Sequence, residues 1–187
     1  MNEYEVGRVE AFLSTFSSRY DEDIEEFIKV RAIDFSKRGI ARTHLVTCEI
    51  SGEKVLLGYF TLTNKVLQVP LQYISKTISN KLSRFGLLDV KTKSYSLPLP
   101  LIAQLGKNYA GGLDERIRGD ELLKIACDKV ATIQHDLGGR YTYIECGDNA
   151  KLVEFYIKNG FFRIDGGNPS NIYDISEPYL IQMLKTV

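Results

Sequence analysis

The chain has 187 residues, 44% of them hydrophobic and 26% charged, and its 24 basic side chains balance 24 acidic ones. That length suits one domain spanning residues 1–187 with a substantial core, and it leaves two full domains cramped. Zero net charge excludes a molecule built throughout to coat nucleic acid. No apolar run approaches the roughly 20 residues of a membrane helix, and the acidic start Met1-Asn2-Glu3-Tyr4-Glu5 is unlike a signal peptide, so a cytoplasmic location and no membrane partner are expected.

The first elements in chain order are two helices. Val9 to Phe16 is short; Asp21 to Lys37 is stronger, with Asp21 or Asp23 as cap and Ile24, Phe27, Ile28, Arg31, Ala32 and Phe35 at helical spacing. Lys37-Arg38-Gly39 stops it. Thr43–Ile50 and Val55–Thr63 are β-rich and flank a hairpin turn at Ser51-Gly52-Glu53-Lys54. Residues 72–85 read as a helix with Ile74, Ile78 and Leu82 on one face. Tyr95–Leu105 reads as a strand whose Pro98 and Pro100 call for an exposed edge or a bulge. Gly119–His135 is a helix, and strand 141–146, helix 149–159 and strand 161–164 follow. Two late strands, near Ile172 and over Tyr179–Leu184, complete a mixed α/β order.

Cys48, Cys127 and Cys146 are odd in number, far apart and set in apolar contexts, which suits reduced, buried thiols. His44 and His135 show no metal-ligand spacing with them, so no metal site is expected. His135 reads as a helix-end or surface residue. Residues 65–108 carry Lys65, Lys76, Lys81, Arg84, Lys91, Lys93 and Lys107 against a lone Asp89. Such a stretch is either a solvated face or a rim that attracts phosphates.

The most informative segment is strand Tyr141–Cys146, then Asn149, a helix carrying Tyr156, and Gly160-Phe161. Asn149 is a good N-cap by type, and Tyr156 lies seven residues on, so both share a helix face. Upstream, a strand at Ile102, Ala103, Gln104 and Leu105 leads to Arg116-Ile117-Arg118-Gly119-Asp120, which opens a helix continuing as Glu121-Leu122-Leu123. Backbone N–H groups at a helix start suit a diphosphate, and Arg116 and Arg118 could offset repulsion from Asp120 and Glu121.

Together these features resemble the GNAT N-acetyltransferase superfamily over roughly residues 20–165, most sharply at Asn149–Phe161. The resemblance implies an acyl-CoA N-acyltransferase fold: a mixed central sheet in which parallel strands 95–105 and 141–146 splay apart to admit acetyl-CoA. The family's phosphate loop reads Gln/Arg-x-x-Gly-x-Gly/Ala before a Leu-Leu pair. Anchoring on Leu122-Leu123 puts Gly119 at the last small position, Ile117 at the first glycine and Asp114 at the Gln/Arg position. A second register makes Arg116 and Gly119 the Arg and first Gly, with Glu121 at the small position. Both depart from the pattern, and the β-branch of Ile117 restricts the loop.

By the same resemblance, residues 102–105 supply backbone N–H groups to cofactor and oxyanion, and Asn149 also bonds the pantetheine arm. Tyr156 protonates the departing thiolate, and Glu145 is the carboxylate candidate for general base. Cys146 reads as packing rather than as an acyl carrier, because no histidine adjoins it in sequence. The activity implied is direct transfer of acetyl from acetyl-CoA to a primary amine. Leu57–Thr63 and Tyr141–Phe161 are also similar to GNAT toxins of toxin–antitoxin pairs, which acetylate aminoacyl-tRNA. That alternative implies tRNA and an antitoxin as partners; a homodimer is compatible with either. A third alternative is a GNAT-fold binding module without catalysis.

Overall fold

The computed structural model describes residues 3–164 and 180–187. The expected strand near Ile172 lies outside the described residues. Two compact units divide the chain: Met1–Thr63 with Ile102–Ala126, and Asn64–Leu101 with Cys127–Val187.

The first unit opens with α1, Glu3–Leu13, and a helical run of α2, Glu22–Glu26, a π-helical turn Phe27–Arg31, and α3, Ala32–Lys37. Asp21 caps the run, its carboxylate accepting from the N–H groups of Asp23 at 3.0 Å and Ile24 at 3.3 Å. Gly39, at φ +70°, ends it. Strands β1, Arg42–Ile50, and β2, Glu53–Pro70, pair antiparallel. Ser51 and Gly52, at φ 51° and 83°, supply the two left-handed residues that a tight hairpin requires. Leu13, Phe16, Phe27, Ile28, Ala32, Leu56 and Tyr59 close into one buried cluster. Leu57, Ile117 and Leu122 form a second.

The second unit contains the rest of β2, a 3₁₀ turn Leu71–Tyr73, α4, Lys76–Leu82, and β3, Leu87–Asp89. Helix 72–85 is therefore shorter than its apolar spacing suggests, because Ser75 caps α4 by accepting from Ile78 N–H at 3.3 Å and resets its start. Strand β2 runs seven residues past Thr63, with Leu67 and Val69 buried and Val66 and Gln68 exposed. That alternation was hidden by the polar pair Asn64-Lys65.

β4, Ser94–Lys107, and α5, Gly119–Leu137, each belong partly to both units. β5, Tyr141–Gly147, α6, Ala150–Lys158, β6, Phe162–Arg163, and β7, Leu180–Thr186, complete the second. Its core joins Leu67, Val69, Leu82, Leu97, Tyr143 and Leu184.

Among the described residues the sheet order is β1-β2-β4-β5-β7-β6, with β3 beside β4. β4 is interior in this order, and the exposed edge expected at Pro98 and Pro100 is local, between the stretches that pair with β3 and with β5. The prolines are tolerated because they fall between the β3-paired residues, ending at Ser96, and Leu101, the residue paired with Tyr143 of β5. The Pro100 carbonyl faces β5 and accepts from the Thr142 hydroxyl at 3.1 Å. β4 and β5 run parallel and share that single pair, whereas β5 pairs with β7 over its whole length.

Candidate functional site

In the second unit the chain leaves β5 at Gly147 and turns through Asn149, whose N–H donates to the Gly147 carbonyl at 2.8 Å. The Asn149 carboxamide oxygen then accepts from Lys151 N–H at 3.0 Å and Leu152 N–H at 3.4 Å, so this residue is the α6 cap. The far end is fastened equally firmly. Asn159 Nδ2 donates to the Phe155 carbonyl at 2.8 Å, Gly160 turns at φ +86°, and Phe161 N–H returns to the Tyr156 carbonyl at 3.0 Å.

Between these caps Tyr156 is buried, its ring edge-on to Phe155 at 5.2 Å and Phe161 at 5.6 Å. Burial pushes its hydroxyl well above the ordinary tyrosine range, and the nearby thiols Cys146 and Cys127 push the same way. The group therefore stays protonated through neutral and moderately alkaline pH, the form an acid needs. Cys127 and Cys146 are buried and Cys48 is half-buried.

Glu145 sits one residue before Cys146, so the two point to opposite faces of β5. Since Tyr156 shares the face of Cys146, the two expected catalytic residues approach β5 from opposite sides. Both Glu145 oxygens contact Lys65 Nζ, at 2.9 and 3.0 Å, and one also accepts from the Tyr143 hydroxyl at 3.0 Å. The Tyr143 phenol is held above its usual range, mainly by burial and then by Glu145. Lys65 is on β2 and Glu145 on β5, so the ion pair reaches across β4.

In the first unit, Ile102 is buried, Gln104 and Leu105 are half-buried and Ala103 is exposed. Gly58 lets β2 pass close to β4: a Cβ there would stand 2.7 Å from the Gly106 carbonyl oxygen. The segment Ala110–Arg116, kinked at Gly111 and Gly112 (φ 57° and 75°), leads to Ile117, which is extended and buries its side chain against Leu57 and Leu122. The β-branch at the expected glycine position is thus spent in the core.

Gly119 opens α5, and the residue before it is held by carboxylates of the first turn. Arg118 N–H donates to Glu121 Oε2 at 2.8 Å, while the Arg118 guanidinium grips Asp120 through bonds of 3.0 and 2.8 Å. Arg118 holds the Asp120 carboxyl below the usual carboxylate range. The expected offset of these carboxylates by arginine therefore takes the form of a direct clamp, and Arg116 remains exposed.

The structure groups Asn149, Tyr156 and Glu145 in one unit and residues 102–105 and 116–120 in the other. Sequence reading missed Lys65 and Tyr143 as partners of Glu145. Tyr143 at two residues' remove was legible as a neighbour on the same strand face, but Lys65 was not.

Element order, mixed sheet and α6 define the GNAT acyltransferase fold. No protein-family model and no curated protein sequence matches the chain. Among solved structures, a Tyr-to-Phe variant of the AtaT toxin is similar at a TM-score of 0.62 and 17% identity, over 93% of this chain and 82% of that one. A Tyr-to-Phe variant of KacT gives 0.61 and 17%, over 92% and 89%. AtaT complexed with acetyl-methionyl-tRNAfMet gives 0.60 and 18%, over 83% and 82%. At such identities the likeness establishes the fold.

Proposed function

We propose that the protein is an acetyl-CoA-dependent N-acetyltransferase of the GNAT toxin type, whose acceptor is the α-amine of an aminoacyl-tRNA. The observation that carries the reading is α6: a helix capped by Asn149 that holds Tyr156 buried, protonated and fixed by aromatic neighbours. The similarity to AtaT, seen in solved structures with acetyl-CoA and antitoxin and with acetylated methionyl-tRNA, favours this acceptor over an unspecified primary amine. The basic stretch 65–108 suits an RNA backbone.

The reaction divides between the faces of β5. The acceptor nitrogen attacks the thioester carbonyl from the Glu145 side. Backbone N–H groups of residues 102–105 stabilise the oxyanion, and Tyr156 protonates the departing sulfur. Residues 116–120 hold the diphosphate at the start of α5. An α-amine loses its proton near pH 8, about two units below a lysine, and so asks less of a base.

Calorimetric titration with acetyl-CoA, followed by acetyl transfer to aminoacylated and deacylated tRNA, tests the reading. Micromolar binding, about −8 kcal/mol, with transfer to the aminoacylated form alone supports it. Expression without an antitoxin should arrest growth, and Tyr156→Phe should relieve the arrest. A folded protein that binds no acetyl-CoA sinks the enzyme and leaves the binding module, which the self-capped start of α5 favours.

A further inference from the structure

We infer that Lys65 is an acetylation site of the protein itself, modified within the same chain by its own bound acetyl-CoA. The inference rests on the transferase reading above and goes beyond it.

A general base must lie within hydrogen-bond reach, about 2.6–3.2 Å, of the nitrogen it deprotonates. Lys65 Nζ stands 2.9 and 3.0 Å from the two oxygens of Glu145. It therefore occupies the position that an acceptor nitrogen takes when Glu145 serves as base. The arrangement is unlike the ion pairs Lys29–Glu25 and Lys158–Glu154, which join neighbouring turns of one helix. Lys65 comes from two strands away, and its carboxylate partner is far less exposed than the lysine, 14% against 52% of the side chain. Tyr143, buried beneath, donates to the same carboxylate and fixes it. The result is a carboxylate seat for an ammonium, steadied by a phenol and occupied by an amine of the chain.

The chemistry balances without any reactant beyond acetyl-CoA. The Lys65 ammonium passes one proton to Glu145, and its freed lone pair forms a C–N bond to the thioester carbonyl carbon. The tetrahedral adduct collapses, the C–S bond breaks, and the thiolate takes the Tyr156 proton. The second nitrogen proton passes to water and the phenolate is reprotonated from water, leaving Nε-acetyl-Lys65 and CoA. Holding an amine at the base raises its effective concentration far above that of free lysines. Acetylation removes the Lys65 charge and releases Glu145 for an incoming amine.

The experiment incubates the full chain with acetyl-CoA and follows Lys65 and Lys158 by peptide mass spectrometry. Lys158, an exposed lysine paired with Glu154, reports background chemical acetylation. Lys65 should be modified at least tenfold faster, with a rate constant independent of protein concentration. Tyr156→Phe and Glu145→Gln should each reduce it to the Lys158 rate. Equal rates at the two lysines in a protein that binds acetyl-CoA overturn the inference and leave the transferase reading standing. A rate constant that rises with protein concentration overturns modification in cis. A chain that binds no acetyl-CoA overturns both.

Discussion

Removing the side chain of Asn108 should cost the first unit more stability than any other single truncation of its size. Asn108 is fully buried at the end of β4. Its Oδ1 accepts from Ser17 N–H at 2.9 Å and Ala110 N–H at 3.0 Å. Its Nδ2 donates to the Leu56 carbonyl at 2.8 Å and the Thr15 carbonyl at 3.3 Å. One side chain thus satisfies four main-chain groups from three segments. Asn108→Ala strands all four. At about 1–3 kcal/mol for each group that finds no water, and with partial hydration of the outer ones, the loss is about 3–5 kcal/mol. For a chain of this size that lowers the thermal midpoint by roughly 10 °C. The chain has no tryptophan but 11 tyrosines, so urea unfolding can be followed by circular dichroism and tyrosine fluorescence. Asn108→Asp separates the contributions: it keeps the acceptor for the two N–H groups and loses the donor to the two carbonyls, so acid should partly rescue it. A loss below about 1 kcal/mol, at an unchanged denaturant slope, would refute the reasoning.

Three further outcomes follow from contacts in the two units. Gly106→Ala places a Cβ 2.5 Å from Ile24 Cγ2, 3.0 Å from Phe16 Cζ and 3.1 Å from Tyr59 Cε1, and should cost about 1–3 kcal/mol in chemical denaturation. Asn149→Ala removes the α6 cap at about 1 kcal/mol; Asn149→Ser should restore stability, so any loss of acetyl-CoA affinity that persists in it reports a contact of the carboxamide itself. Burial raises Tyr59, Tyr143 and Tyr156 above their unfolded range. A raised tyrosine leaves stability intact below the unfolded value near pH 10 and erodes it above, by about 1.4 kcal/mol per pH unit for each. Alkaline titration should therefore show phenolate absorbance of these residues only as the chain unfolds, and gradual ionisation before unfolding would contradict it.

Element order was legible because each element carries its own local signal. Asp21, Gly39, Ser51-Gly52 and Asn149 punctuate the chain by residue type, and apolar spacing did the rest. Strand β3 was not legible: Leu87–Asp89 is three exposed residues that pair with Ser94–Ser96, a partner set by tertiary geometry. In the candidate site, Tyr156 and Asn149 were readable from one segment. The Lys65–Glu145 pair was not, since 80 positions separate its members and nothing in the polar residues around Lys65 marks a partner. Asn108 hides for the same reason: a buried asparagine declares its value only through the segments that converge on it.

The start of α5 raises a sharper question, because Arg118 beside it is already engaged by the chain's own anions. Arg118 N–H is held by Glu121 and the Arg118 guanidinium by Asp120. A diphosphate seated there must either displace Glu121 or tolerate its charge. Glu121→Gln decides between these by keeping the capping geometry, which glutamine serves as well as glutamate, while removing the negative charge. A unit charge in the first turn of a helix is worth about 0.3–1 kcal/mol, so acetyl-CoA affinity should rise about two- to fivefold. Free CoA, with the same diphosphate, should gain equally, and raised salt should shrink the difference. Unchanged affinity, in a variant with unaltered unfolding, would place the diphosphate away from this helix start and leave residues 116–120 as a structural cap alone.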